Sequence, residues 1–265
     1  MKQYIVFFAV CCIILPSTLF ALDGLPGSTW GSLEQDFQHP GKSDAILQGW
    51  IRQGIAWDRW QSGGTTVIFT TYGTVRYNWD SQGLSWNNYF APGMGASLDF
   101  YIPSAPQVSA GVERIYQLNY RAGNSTPYTA PFINWYHWWD ILNNGYPGST
   151  WGDLRWEVPD TGASDLILQG WIRQGISIKR WNAGANTFVL NPYLTLHYKK
   201  DSQDLDWDNY IAPGAGIALD MGSAKGPVVS WGAEYTWQDE LRSKTENIHM
   251  VSIYMRWYGW WNLKH

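Results

Sequence analysis

Strict alternation of apolar and polar residues runs through most of this chain, and it restricts the fold to antiparallel β structure. From Val67 one face reads Val67, Phe69, Thr71, Gly73, Val75, Tyr77 and Trp79. The other carries Thr66, Thr70, Thr74, Arg76 and Asn78. A later stretch sets Phe188, Leu190, Leu194, Leu196 and Tyr198 against Asn191, Tyr193, Thr195, His197 and Lys199. Successive side chains of a strand point to opposite faces, so a period of two marks a sheet with one apolar side. No helical stripe of comparable length competes with it.

The links between these stretches are short and carry turn residues, as in Ser62-Gly-Gly64, Asp80-Ser-Gln-Gly83 and Gly123-Asn-Ser125. Short links join antiparallel hairpins. Five strands are expected near residues 45–60, 66–80, 86–102, 108–120 and 129–139, with five more further along the chain. The segments at Trp30 and Trp151 supply a sixth strand to each set. Twelve strands are therefore favoured, with ten as the fallback.

The two sets are a tandem repeat, 27–140 and 148–262. Gly27-Ser-Thr-Trp-Gly31 returns as Gly148-Ser-Thr-Trp-Gly152, and Ile46 to Ile55 returns unchanged as Ile167 to Ile176. The offset is 121, becoming 122 where Trp135-Tyr-His-Trp-Trp139 matches Trp257-Tyr-Gly-Trp-Trp261. A unit of this length is far longer than a solenoid repeat and reads as a duplicated half-domain or domain.

Before the repeats, Lys2 is followed by an apolar run from Tyr4 to Leu15, then Pro16 and small residues up to Ala21. This pattern predicts a secretory signal peptide over residues 1–21 and a single β-barrel over 22–265. Both cysteines, Cys11 and Cys12, lie in that leader, so the remainder can form neither a disulfide nor a thiolate metal site. The net charge of −4 comes without a basic cluster, which argues against nucleic acid as a partner. No cofactor is expected.

Alternation alone fits both a soluble sandwich and a membrane barrel. Three features favour an antiparallel transmembrane β-barrel. The strands are long enough to cross a tilted bilayer path. Aromatics gather near strand ends at Trp57, Trp60, Trp79, Trp86, Tyr116, Trp135 and Trp139. The polar face mixes glycine, charges and tyrosine, which suits a confined, hydrated lumen. Gln53, Gln174 and Arg114 are the misfits on the apolar face. The leader, the aromatic-rich alternating strands and the lack of further cysteines resemble bacterial outer-membrane β-barrels. The run from Tyr77 to Gly95, with the Trp135-Tyr-His-Trp-Trp139 ending, resembles barrel regions of exopolysaccharide-export and phage-adsorption proteins. That resemblance implies an outer-membrane channel, an export conduit or a surface receptor. Its partners would be outer-membrane lipid and either polysaccharide or small solutes. A secreted or periplasmic Trp-rich carbohydrate-binding protein is the alternative. Oligomeric state is not legible.

Strand parity places Arg52, Glu113 and Asp99 on the lumen face, with their repeat mates Arg173, Glu234 and Asp220. If the repeats close one barrel, these six groups form one charged belt that narrows the lumen and selects solutes. A salt-bridge network that merely closes a narrow barrel is the competing reading, because a confined charge needs a partner. Trp50 and Trp171 also fall on the polar face and are candidates for stacking against a sugar ring. Catalysis has little support. No metal-ligand spacing or nucleophile motif is present, and a Ser97–His197 pair is the one conceivable exception.

Overall fold

The computed structural model describes residues 24–84, 87–139, 145–203, 209–222, 227–241 and 247–263. The expected leader at 1–21 and Trp86 lie outside them. The described residues form β1 (Leu25–His39), β2 (Asp44–Ser62), β3 (Thr65–Asp80), β4 (Tyr89–Tyr101), β5 (Gln107–Asn119) and β6 (Ser125–Trp139). The second half holds β7 (Gly148–Pro159), β8 (Asp165–Gly175), β9 (Lys179–Ala183), β10 (Asn186–Lys200), β11 (Tyr210–Gly222), β12 (Val228–Glu240) and β13 (Ile248–Leu263). No helix occurs among the described residues.

Every neighbouring pair is antiparallel, and β13 pairs with β1 from Leu25↔Leu263 to His39↔His249, which closes the sheet. The result is a closed twelve-strand barrel with one short extra strand. That strand, β9, continues the line of β8 along β10 after a break at 176–178. In the first half the corresponding strand, β2, stays continuous. It takes up the irregularity as a β-bulge between Ala56 and Asp58, where one extra residue bends the strand. Both termini of the barrel lie at the same end, which we call the terminal end.

Closure removes the unpaired edges that make open sheets prone to aggregation. Three ladders are nonetheless interrupted at proline, which lacks an N–H to donate. The β4–β5 pairing skips Ala91 and Pro92, the β6–β7 pairing skips Ala130 and Pro131, and the β11–β12 pairing skips Ala212 and Pro213.

The two faces follow the parity of the sequence. Exposed apolar side chains stand on the outer wall around the ring, including Leu33, Ile51, Val112, Ile133, Leu166, Leu194 (69% exposed), Ile217 and Ile253. Near the terminal end the outer wall carries Trp60 and Trp181; towards the other end it carries Trp79, Tyr116, Trp156 and Trp237. The inner wall is polar but mostly sealed: Ser32, Thr70, Asp99, Glu113, Arg155, Arg173, Asp220, Glu234 and Ser252 are all buried. The lumen is therefore filled with paired side chains instead of being broadly open to water.

The three misfits on the outer face are each satisfied locally. Gln53 accepts the Trp261 indole N–H at 2.8 Å, and its amide donates to the carbonyls of Leu25 and Pro26. Gln174 accepts from Trp139 at 3.2 Å and donates to the Tyr146 carbonyl. Arg114 donates two hydrogen bonds to Asp160, at 2.6 and 2.5 Å.

Candidate functional site

The repeat puts equivalent strands six places apart round the ring, so mates face each other across the lumen. Trp30 of β1 and Trp151 of β7 stack there, with ring centroids 5.6 Å apart and planes 4° from parallel. Tyr136 of β6 and Tyr258 of β13 stack beside them at 3.7 Å. Cross-strand register extends each wall's contribution: Trp30 pairs with Trp50 on one side and Tyr258 on the other. Trp151 pairs likewise with Trp171 and Tyr136. Two rows of three aromatics thus meet across the barrel and form a partition made of side chains alone. The expected lumen positions Trp50 and Trp171 are its outer members. Trp30 and Trp151 were missed as lumen residues; their parity with Ser32 and Asp153 could have shown it once the sixth strand was assigned.

Charged groups fill the spaces on either side. In the first half Arg52 binds Asp99 at 3.0 Å and lies 3.6 Å from the centre of the Tyr72 ring. Asp99 also accepts from Ser97 and Ser109. Glu113 accepts from Arg76 at 2.6 Å, Arg155 at 3.1 Å and the Tyr72 hydroxyl at 3.0 Å. Arg155 also holds Asp153. In the second half Arg173 binds Asp220 at 2.5 Å, and Asn191 donates to the same carboxylate. Glu234 accepts from the Tyr193 hydroxyl at 2.8 Å and pairs with His197 at 2.7 Å. Arg256 reaches Glu234 at 3.7 Å and Glu34 at 3.0 Å.

The six expected groups all face inward, but they do not form one belt of Arg–Glu pairs. Arg52 and Arg173 are bound to Asp99 and Asp220. Glu113 and Glu234 take their cations from other strands. The physical reason is reach. Each arginine finds an aspartate two strands away in its own half.

The mates also differ in chemistry. Arg155 occupies the position equivalent to Glu34, and Arg256 the position equivalent to Asn134. Glu113 therefore draws guanidinium groups from both β3 and β7, whereas Glu234 has the guanidinium of β13 and, in place of Arg76, its mate His197. Tyr72 reaches Glu113 because it crosses Gly95, where a Cβ would lie 2.7 Å from the tyrosine oxygen. Tyr193 crosses Gly216 in the same way. Ser97 and His197 sit in separate networks on different walls, so the structure does not bring them together. No cluster of His, Cys, Asp or Glu able to hold a metal occurs among the described residues.

At the terminal end two members of the partition, Tyr136 and Tyr258, border a cavity of about 500 Å3. Tyr101, Tyr136, Trp138, Tyr258 and Trp260 line it, with Thr66, Ser104 and Gln107 among them.

No protein-family model and no curated protein sequence matches the chain. Solved structures do match it. The β domain of the Bordetella autotransporter BrkA is 13% identical, covering 89% of this chain and 98% of that one, with a TM-score of 0.47. An outer membrane channel from Pseudomonas putida F1 is 8% identical over 90% and 96%, with a TM-score of 0.43. The transport unit of the autotransporter AIDA-I from Escherichia coli is 11% identical over 99% and 98%, with a TM-score of 0.32. These neighbours are bacterial outer-membrane β-barrels, and this chain is a closed twelve-strand barrel.

Proposed function

We propose that this protein is an outer-membrane barrel that works as a gated conduit, with the aromatic partition as its gate. The outer wall supports the membrane setting: apolar side chains cover its middle, and aromatic residues stand towards both ends. The observation that carries the conduit reading is how the lumen is closed. Two facing rows of aromatic side chains bridge it, with no backbone segment across it among the described residues. Side chains change rotamer on a far shorter timescale than backbone plugs leave a barrel. Once the rings part, the passing solute meets Arg52, Asp99 and Glu113 on one wall and Arg173, Asp220 and Glu234 on the other. These groups then set ion preference. Small solutes and a polysaccharide chain are both candidate cargoes.

Planar-bilayer recording tests this reading. The native barrel should be closed most of the time. Trp30→Ala combined with Trp151→Ala should raise conductance and open time. Adding Arg52→Ala and Arg173→Ala to that background should shift selectivity towards cations. A double tryptophan variant that shows heat-modifiable gel mobility, and so is folded, but seals like the native barrel would end the gate reading. Recovery of the native protein in a soluble fraction would end the membrane reading.

A further inference from the structure

We infer that the cavity at the terminal end is a binding site for an uncharged oligosaccharide. The site rests on the same barrel as the conduit reading but does not require conduction. Its volume of about 500 Å3 falls within the roughly 300–1,000 Å3 typical of small-ligand pockets. Among the described residues its lining mixes ring faces with polar groups, His137 among them, and includes no Asp, Glu, Lys or Arg. In this barrel that is exceptional, because the rest of the lumen is crowded with charges. Among the described lining residues a charged ligand would find no carboxylate, lysine or arginine to pair with, only His137.

A further observation narrows the ligand. Trp260 and Trp138 are repeat mates on the inner face, yet they are used differently. Trp138 packs 5.5 Å from the Arg173 guanidinium, whereas Trp260 is 58% exposed at the mouth. An indole face left open to water beside a cavity is a platform for a flat apolar surface, and a pyranose ring offers one through its axial C–H groups. A sugar supplies hydroxyl groups beside its apolar face for Gln107, Thr66 and Ser104, which line the cavity. An acyl chain would fill the volume but leave these polar groups without partners.

The asymmetry arises where the repeats diverge. Tyr101 lines the cavity, and its mate is Gly222; Gln107 lines it together with its own mate, Val228. One mouth thus carries one site, not two.

The test uses the full-length barrel in phosphatidylcholine nanodiscs. Maltohexaose, cellohexaose and chitohexaose are the probes, followed by saturation-transfer NMR and calorimetry. At least one should bind, with saturation concentrated on ring C–H protons. Trp260→Ala should weaken that binding at least tenfold. Trp231→Ala, on the outer wall, should leave it unchanged. Heat-modifiable mobility checks that both variants fold. Failure of all three sugars to bind, or equal binding by native protein and Trp260→Ala, overturns the proposal. A barrel that gates as described above yet binds none of the sugars overturns this site alone.

Discussion

Removing Arg173 should damage this barrel much more than removing its mate Arg52. The side chains of Arg173 and Asp220 are 4% and 0% exposed. One Asp220 oxygen accepts from both Arg173 and Asn191, and the other has no partner among the described residues. Arg173→Ala would leave a sealed carboxylate held by a single amide. Breaking a buried pair in this way costs about 3–5 kcal/mol. Arg52 and Asp99 are 14% and 11% exposed, and Asp99 keeps the hydroxyls of Ser97 at 3.0 Å and Ser109 at 2.6 Å. With two donors retained and water within reach, Arg52→Ala should cost only about 1–2 kcal/mol. Urea titration of vesicle-inserted protein, followed by tryptophan fluorescence and heat-modifiable mobility, measures both. Asp220→Asn in the Arg173→Ala background should recover much of the loss, because it removes the stranded charge. Equal losses for the two arginines, or no recovery by Asp220→Asn, would refute the claim that buried charge is what separates the two halves.

Leu196→Arg should destabilise the inserted barrel by about 2–4 kcal/mol, the cost of arginine on a lipid-facing wall. Thr195→Arg should also be costly, by about 1–3 kcal/mol, because Thr195 is 7% exposed in a packed interior beside His197; a harmless Thr195→Arg in the same titration would mean an open, watery lumen. At the end opposite the termini, the two hydrogen bonds from Arg114 hold the Asp160 carboxyl below the usual carboxylate range. A depressed folded value means that this link is intact above the ordinary aspartate pKa and is lost as pH falls through the folded one. Carbon-13 NMR titration of Asp160 should show a midpoint below that of a free aspartate, and a normal or raised midpoint would refute the link.

The barrel and its faces were legible because a closed sheet enforces period two with few exceptions. Even the strand at Trp30 could be demanded on parity alone. Break points were less legible: Ile55 to Trp57 becomes a bulge, while Ile176 to Ile178 interrupts a strand, although Ile55 and Ile176 end an identical ten-residue run. The lumen positions of Arg52, Asp99, Glu113 and their mates follow from alternation. Their partners do not, since pairing depends on stagger between strands, which alternation leaves open. Arg155 and Arg256 escaped notice for a related reason: they stand at positions whose mates, Glu34 and Asn134, carry different chemistry. A search confined to repeated residues passes over them. The aromatic partition needed both pieces of information at once, the parity of β1 and β7 and the fact that mates face each other.

The facing of Trp30 by Trp151, and of Tyr136 by Tyr258, has a consequence for which substitutions the centre of the barrel can accept. A side chain near the axis that relates the two halves meets its own counterpart. Arginine there would meet arginine, and glutamate would meet glutamate, so any ionised residue would be repelled by its image. Aromatic rings attract their own kind when offset or stacked. The axis therefore selects self-complementary groups, whereas positions away from it may diverge freely, as Glu34 and Arg155 do. An engineer wishing to place charge at the centre would have to change both mates together, one to a cation and the other to an anion. Changing either mate alone would put a charge against an aromatic ring. Changing both alike would put two like charges a few ångströms apart.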